Sequence, residues 1–499
     1  MRIKLKLLFV AVIISLGVIF STTGRIFFND NYGVAFGSNA KPVPIYCGQY
    51  GGSCPINDYY VNDDNTSGPW NGTKALPYNK IEDAINAASS GNTIHVAKGK
   101  YLENINTQSK ELTLEGGWDE TFSQRDPDVN VTTIDGNNAD TVIKILNNSP
   151  TIDGFTITHG NATNEGGAFY IDGTGSPTIS NNHIIDNHSD ETGGGIYAGS
   201  LSTYPVIKDN IIELNSSDFV GGGIGLYAAS SDTMIVNNVI RNNEAVEGGG
   251  IGLYLGSANV VNNIIVGNKV FEVVENQGQV DEYFFGGKGC GVYIYGPTMG
   301  NGMISPIISN NTVAGNIVIV KNAGVGDGGG VYVEFEAFPT ITNTILWGND
   351  GDELYYGGGA SVFISFSDID DVNYNGPNNN ISMDPQFINP STGDYHLLLG
   401  SPAIDAGMDT SSIIYSTYGS IVDDIMGILR GQDGDGNGPA SGDGSDYDIG
   451  AYEMPAMQAY VENNPEQVSE MEDTLDDRLN YNFEINRPLF FPINRSFEN

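Results

Sequence analysis

The stretches PVIKDNIIELNSSDFVGGG (residues 205–223) and TMIVNNVIRNNEAVEGGG (residues 233–250) are two copies of one pattern. In each copy an isoleucine stands two and seven residues after the first position, an asparagine stands ten residues after it, and glycines close the copy. Five further copies begin at Pro150, Pro177, Ala258, Pro306 and Pro339. Such repetition predicts a solenoid, because one copy cannot bury its apolar face alone and must stack on its neighbours.

Three columns of like residues run through the seven copies. The first apolar column holds Ile152, Ile179, Ile207, Ile235, Val260, Ile308 and Ile341. The second apolar column holds Ile157, Ile184, Ile212, Ile240, Ile265, Val313 and Leu346. The third column holds Gly160 and then Asn187, Asn215, Asn243, Asn268, Asn316 and Asn349. Stacking places like residues above one another, so the apolar columns fill the interior and the asparagine amides can hydrogen-bond from coil to coil.

Turn residues separate the short β-branched stretches of each copy. Asparagine and glycine tolerate the left-handed backbone that tight turns require. The pattern therefore predicts an all-β fold, a parallel β-helix with three short strands per coil. Ahead of the copies, Lys80–Ala88 carries apolar residues at helical spacing and predicts a short helix that caps the open end of the stack. Two copies are lengthened, which predicts insertions in their coils, one of them near residues 270–285.

Residues 57–453 resemble the right-handed parallel β-helix proteins of the pectin-lyase-like superfamily. The opening GTKALPYNKIEDAINAASSGNTIHVAKGKYLENI (72–105) resembles their N-terminal cap and first coil. The GGGIY copies resemble coils of bacterial surface β-helices, including chlamydial polymorphic outer membrane proteins. The end, DPQFINPSTGDYHLLLGSPAIDAG (384–407) with DIGAYE (448–453), is similar to the closing segment of secreted proteins of the choice-of-anchor Q type. The resemblance implies a right-handed helix, export and surface display, without one agreed activity.

The chain outside the repeats divides into three segments. Basic Arg2, Lys4 and Lys6 precede the apolar run from Leu7 to Phe20, which is shorter than the ~20 residues that a membrane-spanning helix needs. Residues 1–40 are therefore interpreted as a signal peptide or an uncleaved N-terminal anchor, and only the anchor would contact a membrane. Residues 41–56 are a linker, and residues 454–499 form an acidic tail that we expect to be disordered. This organisation predicts an extracellular or cell-surface protein.

Charge and cysteine content exclude several classes of function. The chain has 21 basic and 61 acidic residues, a formal net charge of −40, so its surface field opposes binding to nucleic acid or to an acidic membrane. Three cysteines provide neither a disulfide framework nor a zinc cluster. Cys47 and Cys54 can close one small disulfide in an oxidising compartment.

The sequence offers weak candidates for catalysis, and no catalytic residue is assigned. Arg241 points outward in a column with Glu213 and Trp347, which would suit a lyase that abstracts a proton beside a uronate. The acidic surface, however, would repel a polyuronate. The pairs Asp370–Asp371 and Asp423–Asp424 could serve a glycosidase, but they are more typical of turns. A polysaccharide lyase, epimerase or glycosidase therefore remains the alternative to a non-catalytic protein.

A row of aromatic residues follows the glycine turns at positions that alternate with inward-facing ones. The row holds Phe169, Tyr197, Tyr227, Tyr254, Tyr293, Tyr295, Tyr332 and Phe363. Because side chains alternate between the two faces of a strand, we expect this row to face outward. Its six tyrosines are the candidate ligand-binding residues, either for a polysaccharide or for a cell-surface protein. The alternatives are aromatic packing between strands and cover by the inserted loops.

The stretch Asp433-Gly-Asp435-Gly-Asn437-Gly438 resembles the first half of a calcium loop. Oxygen ligands at alternate positions with a glycine turn suit calcium. The twelfth position is Gly444 in place of glutamate, so the stretch is not an EF-hand. We expect Asp433, Asp435 and Asn437 to bind calcium, and the alternative is an acidic loop without a metal. Taken together, the sequence favours a non-catalytic binding or structural role for an exported β-helix.

Overall fold

The computed structural model divides the chain into two compact units, residues 1–56 and residues 57–499. It describes residues 18–20, 26–28, 58–276, 282–297, 303–319, 329–411, 415–416, 419–420, 422–434 and 446–454. In the first unit, Val18–Phe20 pairs antiparallel with Ile26–Phe28. Within the described residues, no helix combines the length and apolar content that a membrane crossing needs. The rest of residues 1–57, including Cys47 and Cys54, and the residues after 454 lie outside the described residues.

Four parallel sheets run along the axis of the second unit. Sheet 1 has eleven strands: Asp58–Val61, Thr93–Ala97, Thr113–Trp118, Thr151–Asp153, Thr178–Ser180, Val206–Lys208, Met234–Val236, Asn259–Val261, Ile307–Ser309, Thr340–Thr342 and Phe363–Ser365. Sheet 2 has ten: Gly99–Leu102, Thr132–Asp135, Thr156–Thr158, His183–Ile185, Ile211–Glu213, Val239–Arg241, Ile264–Val266, Thr312–Ala314, Ile345–Trp347 and Asp368–Ile369.

The other two sheets complete each coil. Sheet 3 has six strands of two residues: Asn161–Ala162, His188–Ser189, Ser216–Ser217, Glu244–Ala245, Lys269–Val270 and Ile317–Val318. Sheet 4 has nine: Ile105–Asn106, Ile143–Leu146, Phe169–Asp172, Ile196–Ala198, Ile224–Tyr227, Ile251–Tyr254, Val292–Tyr295, Val331–Glu334 and Leu354–Gly357. The sequence predicted the strands of sheets 1, 2 and 4, and it missed the short fourth strand that six coils carry.

The remaining elements cap or decorate the stack. The predicted helix spans Ile81–Ala87 and buries Ile81, Ala84 and Ile85 in the core, which confirms the amphipathic pattern. Antiparallel hairpins join Glu272–Asn276 to Glu282–Gly286, Phe387–Asn389 to Asp394–Leu397, and Tyr415–Ser416 to Gly419–Ser420. Short 3-10 turns span Val372–Tyr374, Pro377–Asn379 and Pro390–Thr392.

The register of the strands confirms both apolar columns. Ile207 pairs with Ile235 in sheet 1, and Ile212 pairs with Ile240 in sheet 2, without any shift between coils. The members of both columns are fully buried and belong to one core that runs the length of the stack. Because the period of a strand is two residues, this register also fixes which side chains of every coil face outward.

The predicted asparagine column forms a hydrogen-bonded ladder at the turn between sheets 2 and 3. The Oδ1 of Asn243 accepts the backbone N–H and the side-chain Nδ2 of Asn215, both at 3.0 Å. The Nδ2 of Asn243 also donates to the carbonyl of Ile212 at 2.9 Å. The same arrangement links the other members of the column, so each buried amide satisfies turn groups of two coils at once.

A second ladder stands at the turn between sheets 1 and 2, and the sequence analysis missed it. It contains Asn182, Asn210, Asn238, Asn263 and Asn311. Its signal is the asparagine five residues after the first position of each of these copies. Beyond the last asparagine, hydroxyl side chains continue the ladder, since Thr344 accepts from the backbone of Asn311 and Ser367 accepts from Thr344.

Two buried carboxyl groups lie at the C-terminal end of the stack. Glu353 ends the predicted ladder by accepting the backbone N–H of Asn349 at 2.9 Å and its Nδ2 at 2.5 Å. Asp368, in the last strand of sheet 2, is fully buried and accepts the N–H of Met383 at 3.1 Å. Burial raises the pKa of each of these two carboxyl groups to about 7.

The described parts of the closing segment (residues 384–454) lie on the outer face of sheet 2. Its Tyr395 and Tyr452 pack against Val266 and Ala314 of that sheet. Turn asparagines of the stack hold the segment, since Asn262 donates to the carbonyl of Asp423 at 2.6 Å and Asn343 donates to that of Met408 at 2.8 Å. Part of the outer face of sheet 2 is therefore covered by the chain itself.

Replacing a ladder asparagine should destabilise the fold far more than replacing an exposed one. Asn243→Ala leaves the N–H and Nδ2 of Asn215 without their acceptor and the carbonyl of Ile212 without its donor, so we expect a loss of ~3 kcal/mol in unfolding free energy. The exposed Asn161, on an outer strand, is the matched control, and Asn161→Ala should cost below ~0.5 kcal/mol. Urea denaturation of both variants measures the difference, and equal losses would contradict the ladder.

The buried carboxyl of Asp368 should stabilise the fold more in acid than at neutral pH. Its pKa is raised from 3.8 to about 7, so its contribution is complete below the lower value and is lost as the pH rises through the upper one. The change amounts to about 4 kcal/mol. Asp368→Asn should therefore match the wild type near pH 4 and exceed it at pH 8, as measured by denaturation at both pH values. If the stability of Asp368→Asn changes between the two pH values as much as that of the wild type, this carboxyl is not the cause of the pH dependence.

Candidate functional site

The outer face of sheet 4 carries two parallel columns of aromatic residues. Strand register places Tyr170, Tyr197, Gly225, Gly252, Tyr293, Tyr332 and Tyr355 in the first column. The second column holds Tyr227, Tyr254, Tyr295 and Glu334. Two residues of the predicted row lie elsewhere. Phe169 pairs with Ile143 and Ile196 and is buried in the core, so Tyr170 takes the outward place, and Phe363 belongs to sheet 1.

The six tyrosines of the predicted row lie at outward positions, but three of them are covered by other residues. Tyr197, Tyr293 and Tyr332 face away from the interior of the coil, but their exposed fractions are only 8%, 1% and 3%. Tyr197 lies against Gly199 and stacks on Tyr170, with ring centroids 5.4 Å apart.

Residues of the glycine turns cover the first column. Tyr293 and Tyr332 pack with Val220, which comes from the glycine turn of an earlier coil. Gly252 and Gly225 have no side chain to fill this column. The Val220 side chain fills the space beside Gly252, and the Thr192 methyl group fills the space beside Gly225. The first column is therefore a continuous packed layer and offers little surface to a ligand.

The second column is a stack of tyrosine rings, here called the tyrosine ladder (Tyr227, Tyr254 and Tyr295). The rings of Tyr254 and Tyr295 lie 4.3 Å apart at an interplanar angle of 3°, and those of Tyr227 and Tyr254 lie 5.6 Å apart at 13°. Each ring face between two members is thus occupied by its neighbour. Tyr227 is 45% exposed, whereas Tyr254 and Tyr295 are partly buried. This first ring of the ladder is the one most open to a ligand.

A cluster of polar groups, which the sequence analysis missed, adjoins the ladder. The Lys288 Nζ donates to both carboxylate oxygens of Glu334, at 3.1 and 3.2 Å, and lies 3.7 Å from Glu247. Tyr293 donates its hydroxyl to Glu334 at 3.0 Å, and Lys288 also lies over the ring of Tyr332. Burial raises the pKa of Glu247 although Lys288 opposes the shift. The sequence feature that could have indicated this cluster is Lys288, a lysine within a region poor in basic residues.

The structure brings together only two of the three residues that the sequence suggested for a lyase, Glu213 and Arg241 but not Trp347. Arg241 faces outward as expected and donates from Nε to Glu213 at 2.7 Å, while His183 bonds the other carboxylate oxygen at 2.8 Å. Burial would raise the pKa of Glu213, but these two hydrogen bonds outweigh it and lower the pKa to about 2. Trp347 lies further along the column and packs on the closing segment, so it does not share an open groove with Arg241.

The predicted aspartate pairs have structural roles in this fold. Asp371 accepts the N–H of Asn373 and begins a 3-10 turn. Asp424 is buried and accepts the N–H groups of Met426 and Ile428. These contacts favour the interpretation of both pairs as turn residues.

The predicted calcium loop falls largely outside the described residues. Asp433 is described and precedes Gly434, whose N–H donates to the buried Asp405 at 3.2 Å. Asp435 and Asn437 lie outside the described residues, so the calcium site stays a prediction.

Comparison with known proteins agrees with the architecture. Residues 122–300 match the family model described as right handed beta helix region. The chain is a right-handed parallel β-helix. This confirms the fold type expected from the pectin-lyase-like resemblance, while the surface-protein subtypes stay predictions. A solved structure described as pectate lyase Pel9A aligns at 15% identity with a TM-score of 0.43, over 79% of this chain and 96% of that chain. No curated protein matches this β-helix.

The tyrosine ladder should contribute to stability through its rings. Tyr254→Ala removes the middle ring, so we expect a loss of about 2 kcal/mol in unfolding free energy, whereas Tyr254→Phe keeps both stacks and should cost little. Tyr356→Ala, at an exposed tyrosine outside the ladder, is the control. Chemical denaturation tests this, and equal effects of Tyr254→Ala and Tyr356→Ala would contradict a stabilising stack.

Proposed function

We propose that this right-handed β-helix is an exported, extracellular or cell-surface protein with a non-catalytic role, and that its tyrosine ladder binds a neutral glycan. One observation carries the proposal: Tyr227 ends the ladder, and it is 45% exposed. An exposed aromatic ring can stack on a sugar ring. The ladder itself holds this ring in place, which lowers the entropic cost of binding.

Charge supports a neutral ligand over an acidic one. The net charge of −40 repels polyuronates, and Arg241, an outward cation on sheet 2, is already paired with Glu213. The same proposal includes export of the chain and binding of calcium by Asp433, Asp435 and Asn437. The calcium would bind within the closing segment, so glycan binding should be measured with and without calcium.

Binding assays on Tyr227 variants test the proposal. A panel of neutral and acidic polysaccharides should yield binding to a neutral one, with Tyr227→Ala at least ~10-fold weaker and Tyr227→Phe close to the wild type, because the phenyl ring keeps the stack. Tyr170→Ala is the matched control, since Tyr170 is an outward tyrosine of the covered column. Unchanged affinity of Tyr227→Ala, or binding only to acidic chains, would overturn the ladder as the binding site.

A second candidate function, cleavage of an extracellular polysaccharide, has one observation in its favour. Glu247 and Glu334 both lie beside Lys288, and the pKa of Glu247 is raised by burial, as a general acid requires. Chain-length analysis of the same polysaccharides decides between the two functions. If the wild type shortens a polysaccharide and Glu247→Gln does not, the result favours an enzyme. Polysaccharides that stay intact favour a binding protein.

A further inference from the structure

Sheet 3 brings one histidine and two aspartates together on adjacent coils. The strands His188–Ser189 and Ser216–Ser217 pair in parallel register, with His188 beside Ser216. Asp190 and Asp218 follow these strands at equivalent positions, so they also lie one above the other. One ligand atom from each of His188, Asp190 and Asp218 lies within 4.8 Å of the others. The three side chains come from two turns that the coil-to-coil hydrogen bonds hold in place.

A neighbouring hydroxyl orients the imidazole for metal binding. His188 Nδ1 lies 2.9 Å from Ser216 Oγ, and Nε2 lies 3.2 Å from Asp190 Oδ1. When Nδ1 carries the proton and donates it to Ser216, Nε2 presents its lone pair toward the aspartates. The 3.2 Å separation also matches the ~3.3 Å edge of a tetrahedron with metal–ligand bonds of 2.0–2.1 Å.

The two aspartates form a pair of like charges with no lysine or arginine partner in the described part of the chain. The contact of Asp190 is with the His188 imidazole at 3.2 Å. Carboxylates stacked on successive coils repel each other, and a bound cation would remove that repulsion. The strongly negative surface of the chain also raises the local concentration of cations.

The geometry points to a surface site at which His188, Asp190 and Asp218 bind a divalent transition-metal ion of the zinc class. Imidazole with carboxylate ligands suits zinc, cobalt or nickel, whereas calcium takes oxygen ligands alone. Three protein ligands leave one position open to water or to an external ligand. Because the ligands come from two coils, the ion would also tie these coils together. The site is separate from the tyrosine ladder and does not depend on the proposed glycan binding.

A cobalt titration tests the site directly. The full chain, freed of metal with a chelator, should bind about one Co²⁺ per molecule with the visible absorption of a four-coordinate ion, and Zn²⁺ should displace it. His188→Gln and Asp218→Asn should each weaken binding at least ~10-fold. His183→Gln is the matched control, because His183 lies in the neighbouring sheet and also bonds a carboxylate, that of Glu213.

Further arms of the experiment keep the result decisive. Ser216→Ala should weaken binding by about tenfold while the absorption bands persist, since Ser216 only positions the imidazole. Calcium in large excess should leave the bound cobalt in place. Three results would each overturn the site. They are a wild-type titration that does not saturate with Co²⁺, equal Co²⁺ binding by the wild type and His188→Gln, and displacement of the bound Co²⁺ by calcium. Circular dichroism confirms that each variant is folded, and Asp218→Asn keeps the size of an exposed side chain if His188→Gln fails to fold.

Discussion

The asparagine ladders are the constraint on which the rest of the molecule depends. A parallel β-helix pairs its strands along the axis, which leaves the polar groups of the turns between sheets buried and in need of hydrogen-bond partners. The side-chain amide of Asn243 accepts from Asn215 and donates to the carbonyl of Ile212 in the preceding coil, and it also donates to Asn268 in the following coil. The chain therefore keeps the spacing between its two apolar columns and its asparagines constant, and it places its insertions after the sheet 3 strands or after sheet 4.

The interior could be predicted from the sequence because it depends on residues that recur at fixed spacing. The columns through Ile207 and Ile212, the asparagine ladder through Asn243 and the capping helix at Ile81–Ala87 all follow from local patterns. Phe169 was misplaced because Ala168 stands where the next copy has its third glycine, Gly195, so the glycine cluster ends one residue early and Phe169 takes the inward place of Ile196.

The outer surface could be predicted only in part, because distant segments decide what covers it. Tyr293 and Tyr332 were expected to face outward and do so, but Val220 from an earlier coil buries them. The column of Arg241 faces outward as expected, but the closing segment lies on the next coils of the same sheet. Neither contact has a periodic signal in the sequence. The link between Lys288 and Glu334 escaped prediction for the same reason, since the two residues lie in different copies.

Each outer face of the stack carries a different chemistry. Sheet 2 is partly covered by the closing segment, sheet 4 presents the tyrosine ladder, and sheet 3 presents the histidine and aspartates. This division follows from the register, which aligns one position of every coil into a column. The most direct test of the account is amide hydrogen exchange at the backbone N–H groups of Asn215, Asn243 and Asn268. The ladder predicts protection as strong as in the neighbouring strands, although these residues stand in turns. Exchange at the rate of exposed turns would contradict the ladder and the fold built on it.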